Sequence, residues 1–510
     1  MDKVKVKKQG NKYYCKKRKF HGNRFTKNKP STITSDSTIP SVTEVCSANN
    51  IIEDIVIDPI DNNLNSIPTS SSFQKLNDSI NVSSPKFPKI SGYRLIDVGT
   101  IISFIQSFPC SFCEQITTYS VREELSGISS ILYFKCIKCR DEIEFKTCTE
   151  NVNLRLQLAM SSIGCHQEKT KRFLGNMDMP PPVSAPIFTK YKDRIHIATN
   201  EVAKECMSQA ALELKEAQGS NVTVSCDGTW QRRGFVSKNG VATVLSVNSN
   251  KGPSKVVDTH VSSNYCDKCS KAKKRFPDNS DYQEWFKNHS GAGECESNHQ
   301  GTSGQMEPKG ILKIFRRSED MHGLTYTGYL GDGDSKSFKS VAEAIPPVYK
   351  GVSILKLECC GHVQKRMGKR LIDKVNEHKG KPFEDNVNDK DLEAANKNCL
   401  PPFVMEIIKP IFEELSSDAL LAKCVHGGTQ NANEAFHNLI WYRCPKTTFV
   451  GRKRLEIAVY DATIVYNNGE LKRGDIFKNL GLNFGKYCFQ AFSRIDKKRV
   501  SSSLIQNLDK

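Results

Sequence analysis

The sequence predicts an α/β protein: a mixed sheet with flanking helices, preceded by an N-terminal zinc ribbon and a disordered N-terminal tail. Three observations carry this. Asn-Val-Thr-Val (221–224) alternates like a strand and runs into Ser-Cys-Asp-Gly-Thr-Trp-Gln-Arg-Arg-Gly (225–234). β-forming runs then follow at Gly240–Val247 and Ser254–Val261, separated by Gly, Asn and Ser as in a meander. Upstream, the pairs Cys110/Cys113 and Cys136/Cys139 bracket 22 residues of β-rich sequence, while residues 31–90 are polar and aperiodic.

Composition narrows the function. The 510 residues allow two to four domains by size, and 38% hydrophobic content is low for a chain packed throughout. A net charge of +18 and a pI near 9.1 point to a polyanionic partner, nucleic acid first. Much of that charge is local: residues 1–30 carry twelve Lys or Arg against Asp2 alone. Nothing like an 18-residue apolar run exists and no apolar leader opens the chain, which predicts a soluble intracellular protein without a membrane partner. In a reducing compartment the 19 cysteines, several in Cys-x-x-Cys pairs, favour zinc over disulfides.

Taken in order, Lys16, Lys17, Arg18 and Lys19 form a basic cluster suited to nuclear import or DNA phosphate contact. Residues 94–105 read as a strand entering a short helix. Cys110, Cys113, Cys136 and Cys139 can close a tetrahedron of thiolates around Zn2+. A helix around Asn151–Ser162, a break at Pro180–Pro182, and an amphipathic helix over 200–217 lead into the Asp227 strand. After the meander, Cys266, Cys269, His289 and Cys295 make a second zinc set; His299 is an alternative to His289, and the Cys pair could instead join Cys359 and His362. Trp285 reads as packing for this insert.

Acids stand out at three places along the chain. Asp227 lies at the end of the first meander strand. Asp332 and Asp334 follow the alternating run 324–330 in Gly-Asp-Gly-Asp-Ser, where glycines permit close backbone approach to metal or phosphate. Glu434 opens the helix that begins Gln-Asn-Ala-Asn-Glu. Asp and Gly together also mark plain turns, and a first-turn Glu is favoured by the helix dipole alone. Between the second and third acids, a strand over Val352–Glu358 ends in Cys359-Cys360-Gly361-His362. A basic helix follows, whose Lys365, Arg366, Lys369 and Arg370 form a cationic face suited to DNA backbone.

Asp-Gly-Thr-Trp-Gln-Arg-Arg-Gly, Tyr-Leu-Gly-Asp-Gly-Asp-Ser, Glu-Cys-Cys-Gly-His-Val-Gln-Lys-Arg-Met-Gly and Thr-Gln-Asn-Ala-Asn-Glu-Ala-Phe-His-Asn-Leu-Ile-Trp, in that order, resemble the Mutator-like transposase domain. The resemblance runs from about Gly92 to Asn468. It implies a ribonuclease-H-like DDE core that acts on transposon-end and target double-stranded DNA with Mg2+ or Mn2+. Asp227 matches the first acid, Asp332 the second with Asp334 close behind, and Glu434 the third. Cys359 and His362 match the family's Cys-x-x-His. From Lys374 to Pro401 the chain is shorter than the helical insert of family members. That departure keeps open a second reading, a non-catalytic zinc-dependent DNA-binding protein of transposon origin.

The expected organisation is a tail over 1–90, a zinc ribbon over 91–150 and a helical linker over 151–220. A catalytic core over 221–470 carries a zinc-binding insert at 263–310, and a C-terminal tail occupies 471–510.

Overall fold

The structure, a computed structural model, describes residues 6–9, 12–15, 72, 75–76, 82–88, 90–232, 236–247, 253–276, 279–333, 336–379, 400 and 402–508. Lys16–Lys19, Asp334 and most of the shortened stretch after Lys374 fall outside them. The chain divides into two compact units: Met1–Pro68 with Met367–Glu414, and Thr69–Arg366 with Leu415–Lys510. The first contains an antiparallel hairpin, β1 (Val6–Gln9) and β2 (Lys12–Cys15), and most of a helix, Pro402–Leu415, that holds Pro410 in its interior.

The second unit is built on a five-stranded mixed sheet. β6 (Asn221–Trp230), β7 (Asn239–Ser246) and β8 (Val256–Ser263) form the expected antiparallel meander. β9 (Thr325–Gly331) lies parallel to β6, and β10 (Leu355–Glu358) parallel to β9, giving the order β10-β9-β6-β7-β8. β6 extends three residues past Asp227, further than the sequence suggested. Its parallel pairing with β9 nevertheless stops at Ser225↔Leu330, so Asp227 stands two residues beyond the last rung on that side. On the other side it still pairs, opposite Thr243.

Period-two alternation divides the sheet between two cores. Val222, Val224, Cys226, Ala242 and Val244 pack on Ile311, Ile314 and Phe315 of the helix Met306–His322. Val241 and Leu245 face the opposite way, onto Phe436 and Ile440 of the helix Asn431–Arg443 and onto Leu455 and Val459 of the helix Arg452–Asn468.

The expected linker and C-terminal tail are part of this body. The helix reaches back from Gln218 to Ala185, just after the proline break. Its Ile195, Ala198 and Val202 share a third core with Leu154 and Leu158 and with Ile476, Phe477, Leu480 and Leu482. Hydrophobic residues spaced three and four apart at 476–480 carried this signal. A piece of the presumed disordered stretch also packs: Leu76 is fully buried, and Phe87 lies 6.1 Å from Phe489, ring centre to ring centre.

Before this body, β3 (Tyr119–Ser126), β4 (Ser129–Cys136) and β5 (Glu142–Lys146) form an antiparallel three-stranded sheet. The strand expected at 94–97 does not form. Asp97 instead caps the helix Val98–Gln106, its Oδ1 accepting from the Thr100 N–H at 3.2 Å. Among the described residues no helix is long and apolar enough to cross a membrane.

Phe436 is wholly buried between the sheet and the helix that carries Glu434. Phe436→Ala is expected to cost about 3–5 kcal/mol of stability, read as a lower denaturant midpoint at unchanged slope.

Candidate metal centres and acidic site

Two sulfur-rich clusters form where hairpin turns and short helices converge. Cys110 lies 3.6 Å from Cys139 and Cys113 lies 3.9 Å from Cys136, sulfur to sulfur. In the insert, Cys266 Sγ is 3.4 Å from His289 Nε2 and Cys269 Sγ is 3.6 Å from Cys295 Sγ. Within each set all four ligand atoms lie within 4.8 Å of one another. A tetrahedron with metal–sulfur bonds near 2.3 Å has edges of about 3.8 Å, so both sets match a four-coordinate zinc site. Backbone N–H groups of Cys113 and Phe112 pull the Cys110 thiol down to about 6, the thiolate form a metal requires.

His289 is held for its role by its surroundings. The Trp285 ring stacks on it at 4.6 Å, and its Nδ1 faces Glu294 Oε2 at 3.8 Å. A carboxylate behind the ring would favour Nε2, the nitrogen that faces Cys266, as the ligand atom. His299, the alternative ligand, turns away: its Nε2 lies 3.0 Å from the Thr302 carbonyl. Cys359 and His362 join neither cluster. The buried Cys359 sulfur accepts from the Gln430 N–H at 3.3 Å, tying the end of β10 to the start of the Glu434 helix.

Asp227 and Asp332 both lie beyond the last rung of the β6–β9 pairing, and among the described residues no carboxylates draw together as tightly as the two cysteine sets. Asp227 Oδ1 accepts from the Gly228 N–H at 2.8 Å, and its side chain is 28% exposed. Asp332 directly follows β9, and its Oδ1 accepts from the Gly333 N–H at 2.7 Å. Glu434 sits in the first turn of its helix, and Lys365 Nζ lies 3.1 Å from it. A single imidazole bridges the last two: His362 Nδ1 is 3.6 Å from Asp332 Oδ1, and its Nε2 is 4.0 Å from Glu434 Oε1. Burial first, then the charges of Glu307, Glu434 and Asp332, push the Asp227 carboxyl up to about 7.

The cationic face of the helix Cys360–Glu377 is mostly engaged. Lys365 pairs with Glu434, Arg366 with Glu358 at 2.8 Å, and Arg370 with Glu414; Lys369 is exposed. Fixed spacing revealed the basic stripe but not the acids that face it.

Two residues at the acids were not singled out in the sequence. His437 is buried one helical turn after Glu434, with Nδ1 3.6 Å from Asp227 Oδ2 and Nε2 3.0 Å from Thr243 Oγ1. Burial lowers it to about 3, so it is a neutral ring. Its spacing of three from Glu434 was the available signal. Glu307, in the first turn of the helix Met306–His322, lies against Gly228. Nothing local marks it, because only the packing of that helix on the sheet brings it there.

A family model described as Mutator-like transposase matches residues 92–427, well over half of the chain. The match includes Asp227 and Asp332 and ends before Glu434. No curated protein matches.

Zinc analysis of the purified full chain is expected to give about two ions per chain, one for each four-ligand set. Cys113→Ser and Cys269→Ser should each remove about one. A folded chain without zinc would end this assignment.

Proposed function

This chain belongs to the Mutator-like transposase family, and from that premise we propose that it is a DNA transposase that cleaves transposon ends and joins them to target DNA. A strand order with a three-stranded antiparallel meander and two parallel strands beside its first member supports a ribonuclease-H-like core. The observation that supports the catalytic reading is that Asp332 and Glu434 lie either side of His362 while Asp227, just past the last rung of the β6–β9 pairing, lies by His437 on the Glu434 helix.

The donor set fits hard divalent cations such as Mg2+ or Mn2+, which take carboxylate oxygens. When bound there, such ions would supply charge to activate the attacking oxygen and stabilise the leaving one. The chain's own residues prepare that site. Gly228 and Gly333 donate backbone N–H groups that fix one oxygen of Asp227 and of Asp332. His362 lies between Asp332 and Glu434, 3.6 Å from one and 4.0 Å from the other. Lys365 holds Glu434 by an exposed ion pair, which is weak and easily exchanged for a cation or for DNA phosphate. The basic cluster Lys16–Lys19 suits nuclear import, and the exposed Lys369 suits phosphate contact.

Asp227→Asn is expected to abolish Mg2+-dependent cleavage of element-end DNA while leaving DNA binding at wild-type strength or above, scored on labelled duplexes. Wild-type protein that binds element ends yet cuts nothing with either Mg2+ or Mn2+ would favour the non-catalytic DNA-binding reading. Affinity for DNA should fall roughly tenfold or more between 50 and 200 mM salt, because phosphate contacts release counterions. A flat salt titration would remove the phosphate-dominated interface.

A further inference from the structure

His437 is buried with one ring nitrogen unused. Its side chain is 9% exposed, and it reaches the sheet from the helix Asn431–Arg443. Thr243, which it meets, lies opposite Asp227 on β7 and shares the face of Val241 and Leu245, the face this helix covers.

The hydrogen bonds around Thr243 decide where the ring proton sits. Thr243 Oγ1 has three polar neighbours: the Asp227 carbonyl at 3.1 Å, Asn433 Nδ2 at 3.3 Å and His437 Nε2 at 3.0 Å. A hydroxyl offers one proton and two lone pairs. The carbonyl can only accept, so the proton goes there. Asn433 Oδ1 accepts from Ser225 Oγ while Nδ2 faces the Ser225 carbonyl, so Nδ2 donates and takes one lone pair. The remaining lone pair is left for His437 Nε2, which must therefore donate. In a neutral ring, Nδ1 is then a bare acceptor.

That acceptor faces another. Nδ1 lies 3.6 Å from Asp227 Oδ2, and among the described residues nothing hydrogen-bonds to it. The separation is too long for a hydrogen bond, even from a protonated carboxyl. Two ligand atoms about 2.1 Å from one divalent ion stand about 3.0 to 4.2 Å apart, from right-angled to opposite placement. The gap has the width an ion needs and the donors to hold it.

We propose that His437 is a nitrogen ligand of the acidic site, joining Asp227 on one divalent ion through Nδ1. This rests on the reading of Asp227 as an ion ligand. Thr243 is then a positioning residue, because its lone pair keeps the ring proton on Nε2 and leaves Nδ1 free for the ion. One imidazole among carboxylates, without a thiolate, suits Mn2+ better than Mg2+, which takes oxygen.

The test is pulsed electron paramagnetic resonance of Mn2+ added to the zinc-loaded full chain, without DNA and in a nitrogen-free buffer. A directly bound imidazole gives a nitrogen hyperfine coupling. Wild type is expected to show it, and His437→Gln to lose it while Mn2+ stays bound. Bound Mn2+ without the coupling in wild type, or with it unchanged in His437→Gln, overturns the proposal. If His437→Gln fails to fold or to hold Mn2+, His362→Gln decides, since His362 is the other imidazole beside the acids. Coupling that survives there supports His437, and coupling lost there overturns it. Asp227→Asn separates the two levels of inference. If it loses Mn2+ while wild type lacks the coupling, only the role of His437 falls. If it binds Mn2+ like wild type, or wild type binds none, the acidic-site reading falls as well.

Discussion

The arrangement of the acids depends on a buried polar seam between β6 and the helix Asn431–Arg443. Gln430, Asn433, His437 and Trp441 recur at three and four residues, so they line one helical face. Each meets a polar atom of the sheet: Gln430 Nε2 donates to the Cys226 carbonyl, Asn433 Oδ1 accepts from Ser225 Oγ, His437 meets Thr243 and Trp441 Nε1 donates to Thr229 Oγ1. Apolar packing by Phe436 and Ile440 would tolerate a helix sliding along the sheet. Hydrogen bonds between buried groups do not, because a slip leaves each group unpaired at a cost of roughly 1–3 kcal/mol. The seam therefore fixes where Glu434 stands relative to Asp227, and the apolar contacts supply the adhesion.

The same seam explains how a strand-borne acid can be held in a partly buried place. Thr243 donates to the Asp227 carbonyl while receiving contacts from His437 and Asn433, so the backbone at Asp227 is pinned from the neighbouring strand. Its side chain has no such partner beyond Gly228, and the nearby charges are acids. Under the proposed function, a rigid backbone with an electrostatically unsettled carboxylate suits a cation that arrives later. Glu307, brought over Gly228 by the close Gly310–Ala242 contact, adds to that imbalance from the opposite face.

What was legible in the sequence follows from how local each cause is. The meander, the two four-ligand sets and the helix after Gln430 were all readable, because spacing within a few residues or between knuckles determines them. The strand at 94–97 was misread because Leu95 and Ile96 look like strand residues, whereas Asp97 commits the chain to a helix cap and leaves both exposed. Residues 151–220 and 471–510 looked like connectors because their apolar positions have no partner nearby in sequence; the core they form joins Leu154 to Ile476. Glu307 and the pairing of Lys365 with Glu434 are long-range, and no periodicity encodes them. The sulfur of Cys359 shows the converse. Its spacing from His362 fits a metal pair, yet the structure gives it the backbone N–H of Gln430 instead.

One chain can hold these sites without exchange because their donors differ in softness. Thiolates and imidazole at 3.4–3.9 Å separations select zinc and leave no open position for a reacting group. The carboxylates around Asp227 offer only oxygen at their open faces, which suits a weakly held, exchangeable Mg2+ or Mn2+. The zinc sets lie in the β3–β5 ribbon and in the insert after β8, away from the end of β6 in sequence. Under the proposed function, zinc would stay in the ribbon and the insert while the carboxylates took up a divalent ion together with DNA phosphate.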